Sequence, residues 1–146
     1  TGGAVRIGAA IGRALARAGA DVVIHYHRSA APARALRREV EALGRRAFCV
    51  RGDLRREADV RRLVRASREM GGRLDILVNN AAVFHKDALR AVTARKLREE
   101  FEVNLFAPLL LMRAFAEELL SGHPAGPARD RLTKVRRGTL AADARF

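Results

Sequence analysis

The sequence has a single cysteine, a single tyrosine, no tryptophan and only three lysines. A lone cysteine, Cys49, excludes an intrachain disulfide and leaves a cysteine-based metal cluster without ligands. A reducing, cytoplasmic setting is therefore expected. Long hydrophobic runs are missing as well. The most apolar stretch, Leu105 to Met112, contains Pro108 and falls far short of the roughly 20 residues that cross a bilayer. No basic-then-apolar leader opens the chain, so neither secretion nor a membrane partner is expected. With lysine so scarce, the net charge of +13 is arginine charge. The pairs Arg37–Arg38, Arg55–Arg56 and Arg61–Arg62 are interleaved with Glu39, Glu41, Glu57 and Asp59. Mixed charge of this kind belongs to solvated helix faces, whereas nucleic-acid binding calls for a one-sided basic footprint. No nucleic-acid motif accompanies the charge, and no such partner is expected.

What is present is an alternation of short apolar runs and longer helical stretches. Asp21 to Tyr26 and Leu74 to Val78 have the composition of buried strands, and Arg46 to Val50 that of a weaker one. Helices are expected over Ile7–Ala18, Pro32–Leu43 and Glu57–Met70, with Gly19 and Gly44 just past two helix ends and Pro32 in a first turn. A long helix is expected over about Lys96 to Leu120, adjusted near Pro108, where the ring removes a backbone donor. Strands alternating with helices of this length indicate βαβ units on a parallel sheet, the α/β class. The pattern fails after about Ser121. Residues 1–121 are expected to form one domain, and residues 122–146 an irregular tail, a disordered or frame-shifted one.

The opening Thr1-Gly2-Gly3-Ala4-Val5-Arg6-Ile7-Gly8 has the mechanics of a dinucleotide-binding turn. Gly2 tolerates backbone angles closed to other residues, and Gly8 permits close approach of helix or pyrophosphate. The helix starting near Ile7 then offers free N–H groups and a positive dipole end to the phosphates. An NAD-preferring site places a carboxylate at the end of the next strand, to bind the ribose 2′-hydroxyl. Here that end reads His25-Tyr26-His27-Arg28-Ser29, with no acid. Arg28 can fork onto a 2′-phosphate, Ser29 can add a hydroxyl, and Arg6 can reach the same group from the other side. The expectation is NADP(H). His25 and His27 have metal-compatible spacing but no third ligand in evidence, so no metal is expected.

These motifs resemble the short-chain dehydrogenase/reductase family over roughly residues 1–120. The first turn is similar to the family's Thr-Gly-x-x-x-Gly-x-Gly, with Arg6 at the middle glycine. Arg51-Gly52-Asp53-Leu54 resembles the acidic position that contacts adenine. Asn79-Asn80-Ala81-Ala82 resembles the Asn-Asn-Ala-Gly turn lining the cofactor cleft. Asn104 matches the asparagine that helps hold the proton-relay water, the one catalytic-site member assigned. A narrower resemblance is to the pteridine reductases, which also carry arginine in the glycine turn and a His-Tyr-His-x-Ser stretch. It implies that Tyr26, His27, Arg28 and Ser29 surround the 2′-phosphate. Phe84 then stacks on a pterin substrate, or else packs beneath its loop. Ala82 departs from the hydroxyl residue common there.

The resemblance implies a Rossmann-like, doubly wound parallel sheet that is incomplete here. The strand before the glycine turn is central in that fold, and without it Asp21–Tyr26 and Leu74–Val78 would face each other across unpaired edges. The isolated chain is expected to be unstable or to rearrange so as to pair them. The family's chemistry also needs a Tyr-x-x-x-Lys pair, whose lysine tunes the tyrosine as a general acid. Tyr26, the single tyrosine, sits in the cofactor segment, and no tyrosine stands four residues before a lysine. The expected function is the NADPH-binding portion of a pterin or carbonyl reductase, inactive as this fragment and drawn from a homo-oligomeric parent. A non-catalytic NADPH-binding domain and a 3-oxoacyl-type ketone reductase are the alternatives.

Overall fold

The computed structural model describes residues 1–122. Helix α1 (Arg6–Arg17) leads to strand β1 (Val22–Tyr26), helix α2 (Ala30–Ala42), strand β2 (Ala47–Arg51) and helix α3 (Glu57–Gly71). After a stretch with a short 3-10 turn at Leu89–Ala91 come helix α4 (Ala94–Phe101), a π turn (Glu102–Phe106) and helix α5 (Ala107–Gly122). The expected tail lies, past its first residue, outside the described residues. The two strands pair in parallel, Val22 opposite Ala47 and Tyr26 opposite Arg51, with α2 as the crossover. The architecture is α/β, a partial Rossmann-type sheet covered on both faces.

Strand alternation divides the core in two. Val22, Ile24 and Ala47 point to the face covered by α1 and α2, among Ala9, Ala16, Leu36 and Val40. Val50 points to the other face, where Val60, Leu63 and Val64 of α3 meet Leu111 of α5. Ile24, Leu36, Val40, Val60 and Leu111 are fully buried, and each contributes about 1.5–3 kcal/mol of hydrophobic stabilisation. The C-terminal ends of both strands and the start of α1 thereby converge on one edge, where open α/β sheets bind ligands.

Two expectations are corrected. Leu74–Val78 forms no strand, and no ladder joins it to β1. An apolar run becomes a strand only when a neighbour completes its hydrogen bonds. Between Leu74–Val78 and β1 lies an open groove of about 510 Å³, lined by Val22, Ile24, Leu74, Ile76, Val78 and Phe115. The two edges do not close on one another. The long helix is also not continuous. It begins at Ala94, where the Thr93 hydroxyl accepts from Lys96 N at 3.3 Å, and widens into the π turn immediately before α5. In an unbroken α-helix the Pro108 ring would strike the carbonyl of Asn104, and the wider turn relieves that contact.

Candidate functional site

The first turn is fixed by a clasp across the sheet. The Thr1 hydroxyl accepts from Asn80 N and Ala81 N, both at 3.1 Å, and donates to Val78 O at 3.4 Å. The Asn80 amide nitrogen returns two bonds, to Thr1 O at 2.9 Å and Gly2 O at 3.2 Å. Gly2 sits at φ +60°, and a side chain there would press on Asn80 and Ala81. Arg6, at the family's middle-glycine position, takes the same left-handed backbone at φ +52°, a conformation that costs a non-glycine residue about 1 kcal/mol or more.

The turn's other anchor is His25, which sequence reasoning left without a role. Its ring is buried at 5% exposure. Nδ1 accepts from Gly2 N at 3.1 Å, and Nε2 lies 3.2 Å from Gly52 O, so the proton sits on Nε2 of a neutral ring. Gly3 N adds a bond to His25 O at 2.9 Å. Burial, only partly offset by the Gly52 bond, pushes the His25 pKa down to about 4. Because the unfolded imidazole titrates near 6.5, the unfolded chain binds the extra proton first as pH falls. Stability is therefore full above about 6.5 and is lost as pH drops through 4. We expect a loss of about 3 kcal/mol across that window, measured by urea unfolding, and a much flatter profile in His25→Asn. Equal slopes for the two proteins would remove His25 from this role.

Beside the turn is a cleft of about 320 Å³. Gly2 and Ala81 form one wall. Tyr26 at the end of β1 lines the cleft together with His27, Arg28 and Ser29, which follow the strand, and Asp53 and Leu54 enter from the β2–α3 loop. Arg6, Ile7 and Gly8 stand at the start of α1 outside this lining, with Ile7 70% exposed. Asn80 acts through the clasp. Asn104 lies in the π turn, its carboxamide committed to the Val83 backbone: Oδ1 accepts from Val83 N at 2.9 Å and Nδ2 donates to Val83 O at 2.7 Å. Phe84 follows directly and is 76% exposed.

The cleft also holds charged groups that motif reading missed. Arg55 forks onto Asp53, with Nε 2.9 Å from Oδ1 and Nη2 2.7 Å from Oδ2. Those bonds hold the Asp53 pKa near 2. Nη1 of the same guanidinium reaches Glu99 Oε1 of α4 at 2.9 Å. His27 Nε2 stands 3.7 Å from Asp53, and His85 Nε2 stands 3.3 Å from Glu99 without hydrogen-bond geometry. Arg55 had a local signal, two residues past Asp53. Glu99 had none, since only the fold brings α4 to the β2–α3 loop. Among the described residues, no three His, Cys, Asp or Glu side chains are placed to hold a metal ion.

Residues 1–126 match the family model described as short chain dehydrogenase. The chain belongs to the short-chain dehydrogenase family. Among its relatives in that family, an uncharacterized oxidoreductase of Methylorubrum extorquens is 40% identical over 122 residues, 84% of this chain and 49% of the relative. An L-rhamnose 1-dehydrogenase (NAD(P)(+)) of a Sphingomonas species is 33% identical, again over 84% of this chain and 49% of the relative. The chain thus spans about half the length of these short-chain dehydrogenases. A short chain dehydrogenase from Burkholderia cenocepacia, solved in complex with NADP, superposes with TM-score 0.78 at 36% identity, covering 92% of this chain and 60% of that one. A blue fluorescent protein from a metagenomic library, in complex with NADPH, gives TM-score 0.76 at 38% identity, covering 80% and 48%.

Proposed function

We propose that these residues are the NADPH-binding portion of a short-chain reductase acting on a pterin or carbonyl compound. The observation that carries this reading is the mouth of the 320 Å³ cleft, where Arg28 and Ser29 stand and the segment after β1 supplies no carboxylate. A 2′-phosphate there meets a guanidinium and a hydroxyl, and an NADH ribose finds no acid on that segment to hold its 2′-hydroxyl. The turn fits a pyrophosphate, because a Cβ at Gly8 would lie 2.1 Å from Gly2 O. That close-packed entry to α1 leaves N–H groups facing the phosphates. When bound, the nicotinamide supplies a hydride.

The chain's own residues bind and orient. His27, Arg28 and Ser29 take the 2′-phosphate with Tyr26 beside them, Asp53 and Leu54 take the adenine, and Gly2, Ile7, Gly8, Asn80 and Ala81 frame the pyrophosphate and nicotinamide path. Arg6 approaches the 2′-phosphate from the turn. Asn104 shapes the π turn next to the substrate loop, where freed carbonyls can hold a water. The exposure of Phe84 favours stacking on a flat heteroaromatic substrate over packing beneath its loop. Phe101, Leu105, Leu109 and Met112, each 43–51% exposed from the end of α4 through the π turn into α5, support a homo-oligomeric parent. Residues 1–121 make up this binding domain, in a cytoplasmic protein. With no tyrosine four residues before a lysine, these 146 residues bind without turning over. The alternative of a non-catalytic NADPH-binding domain rests on the same absence.

Titration calorimetry with NADPH and NADH tests the binding claim. We expect a preference of about 100-fold for NADPH, of the order that charge-assisted phosphate contacts supply. Equal affinity for the two would overturn it. Hydride transfer to dihydrobiopterin by the whole protein, against simple ketones, tests the substrate.

A further inference from the structure

The loop that carries Phe84 is held to the rest of the chain by polar groups. No residue from 82 to 93 is buried. Val83 is bound by Asn104, the His85 N–H donates to Glu100 Oε1 at 2.7 Å, and Asp87 pairs with Lys96 at 2.8 Å. A segment held this way, with little apolar burial, opens at low cost. These partners all belong to α4 or the π turn. Glu99 of α4 differs from them, because its carboxylate serves two neighbours. Oε1 accepts from Arg55 Nη1 at 2.9 Å, and Arg55 is forked onto Asp53 in the cleft wall. Oε2 stands 3.3 Å from His85 Nε2, a buried nitrogen with no hydrogen-bond partner among the described residues. One contact is closed and the other is nearly so.

We infer that Glu99 is a positioning residue that couples the cleft to the loop of Phe84, so that a ligand filling the cleft closes the His85 contact and orders residues 84–93. The inference rests on the reading of the cleft as an NADPH site and deepens it from binding to communication with the loop beside it. Asp53, Arg55 and Glu99 all line the cleft, and their side chains keep 19%, 36% and 25% exposure. Water therefore reaches the whole line in the free protein. A ligand seated there excludes it, and ion pairs strengthen as the surrounding dielectric falls. With Oε1 held harder on Arg55, Oε2 is kept on the His85 side, and the loop gains the bond it lacks. Residues 84–93 lie outside the cleft lining, so the ligand need not touch them. Coupling of this kind is reciprocal: a ligand that orders the loop raises affinity at the cleft by the same factor.

The test is hydrogen exchange of the full chain, read by mass spectrometry, with and without adenosine 2′,5′-bisphosphate. This probe has an adenine and a 2′-phosphate but no nicotinamide, so an effect on residues 84–93 must be transmitted. In wild type the probe should slow exchange of the 84–93 amides by about fivefold, the low end of coupling between sites. Glu99→Gln keeps the size of the side chain and removes its charge. In that variant the probe should still protect residues 26–29 and leave 84–93 unchanged. A merely structural role would speed loop exchange equally with and without the probe, and the ratio between the two would survive. That survival overturns the proposal. If Glu99→Gln is unfolded by circular dichroism or no longer protects residues 26–29, His85→Phe replaces it; a surviving ratio there is equally fatal. Protection of 26–29 without any of 84–93 in wild type sinks this inference alone. Protection of neither segment under a large excess of probe sinks the cleft reading with it.

Discussion

Replacing Gly8 with alanine should abolish NADPH binding and lower the melting temperature by about 10 °C or more. The added Cβ would lie 2.1 Å from Gly2 O, 2.7 Å from Asn80 Nδ2 and 2.9 Å from Gly2 C. Two of those atoms are backbone and the third belongs to the clasp, so none can step aside alone. Moving Gly2 breaks its bond to His25, and moving Asn80 frees the Thr1 and Gly2 carbonyls. Each buried group stripped of its partner adds about 1–3 kcal/mol. Gly12→Ala is the control. Its Cβ would meet the far end of Leu36 at 3.3 Å, a contact that a side chain can yield, and alanine favours the helix by about 1 kcal/mol. Differential scanning calorimetry with and without NADPH separates the two, and near-normal binding in Gly8→Ala would contradict the close-packed turn.

The second large effect is on cofactor choice. Arg28→Ala should weaken NADPH about 30-fold and leave NADH nearly unchanged, cutting the preference to about threefold, since bonds of a guanidinium to a phosphate contribute roughly 2 kcal/mol. The reasoning is local. Arg28 sits at the mouth of the cleft, and among the described residues it has no ion pair in the free protein that would have to be broken. His27 stays within 3.7 Å of Asp53 and can make up only part of the lost charge. Arg6 remains in the turn, and Arg6→Ala on top of Arg28→Ala should remove the residue of the preference. An unchanged NADPH affinity in Arg28→Ala would move the 2′-phosphate elsewhere.

Local signals carried the sequence reading far, and it failed where structure depends on distant partners. The glycine turn, α1, α2 and α3 were legible because capping, apolar period and turn glycines lie within a few residues of one another. So was β1, one residue shorter than expected. Leu74–Val78 was misread because composition reports burial, while a strand also needs a ladder neighbour. The break before α5 was half legible: Pro108 announced it, but nothing nearby signals that Asn104 of the π turn binds Val83, twenty-one residues away. In the candidate site, the residues after β1 and β2 that line the cleft had been named from their order along the chain. His25 was passed over because a buried histidine that braces backbone looks, in sequence, like any strand histidine. Glu99 reaches Arg55 across 44 positions, a distance no motif spans.

The clasp between Thr1 and Asn80 also sets the order in which the molecule can form. Its bonds span 77 to 80 positions, so the glycine turn is among the most non-local features of the fold. During synthesis, residues 1–8 leave the ribosome roughly 4–15 s before Asn80 does, at common elongation rates. Through that interval the α1–β1–α2–β2 unit can assemble from neighbouring contacts, while the turn has His25 and lacks its second anchor. A ligand that recognises the finished turn can therefore act only once Asn80 has joined it.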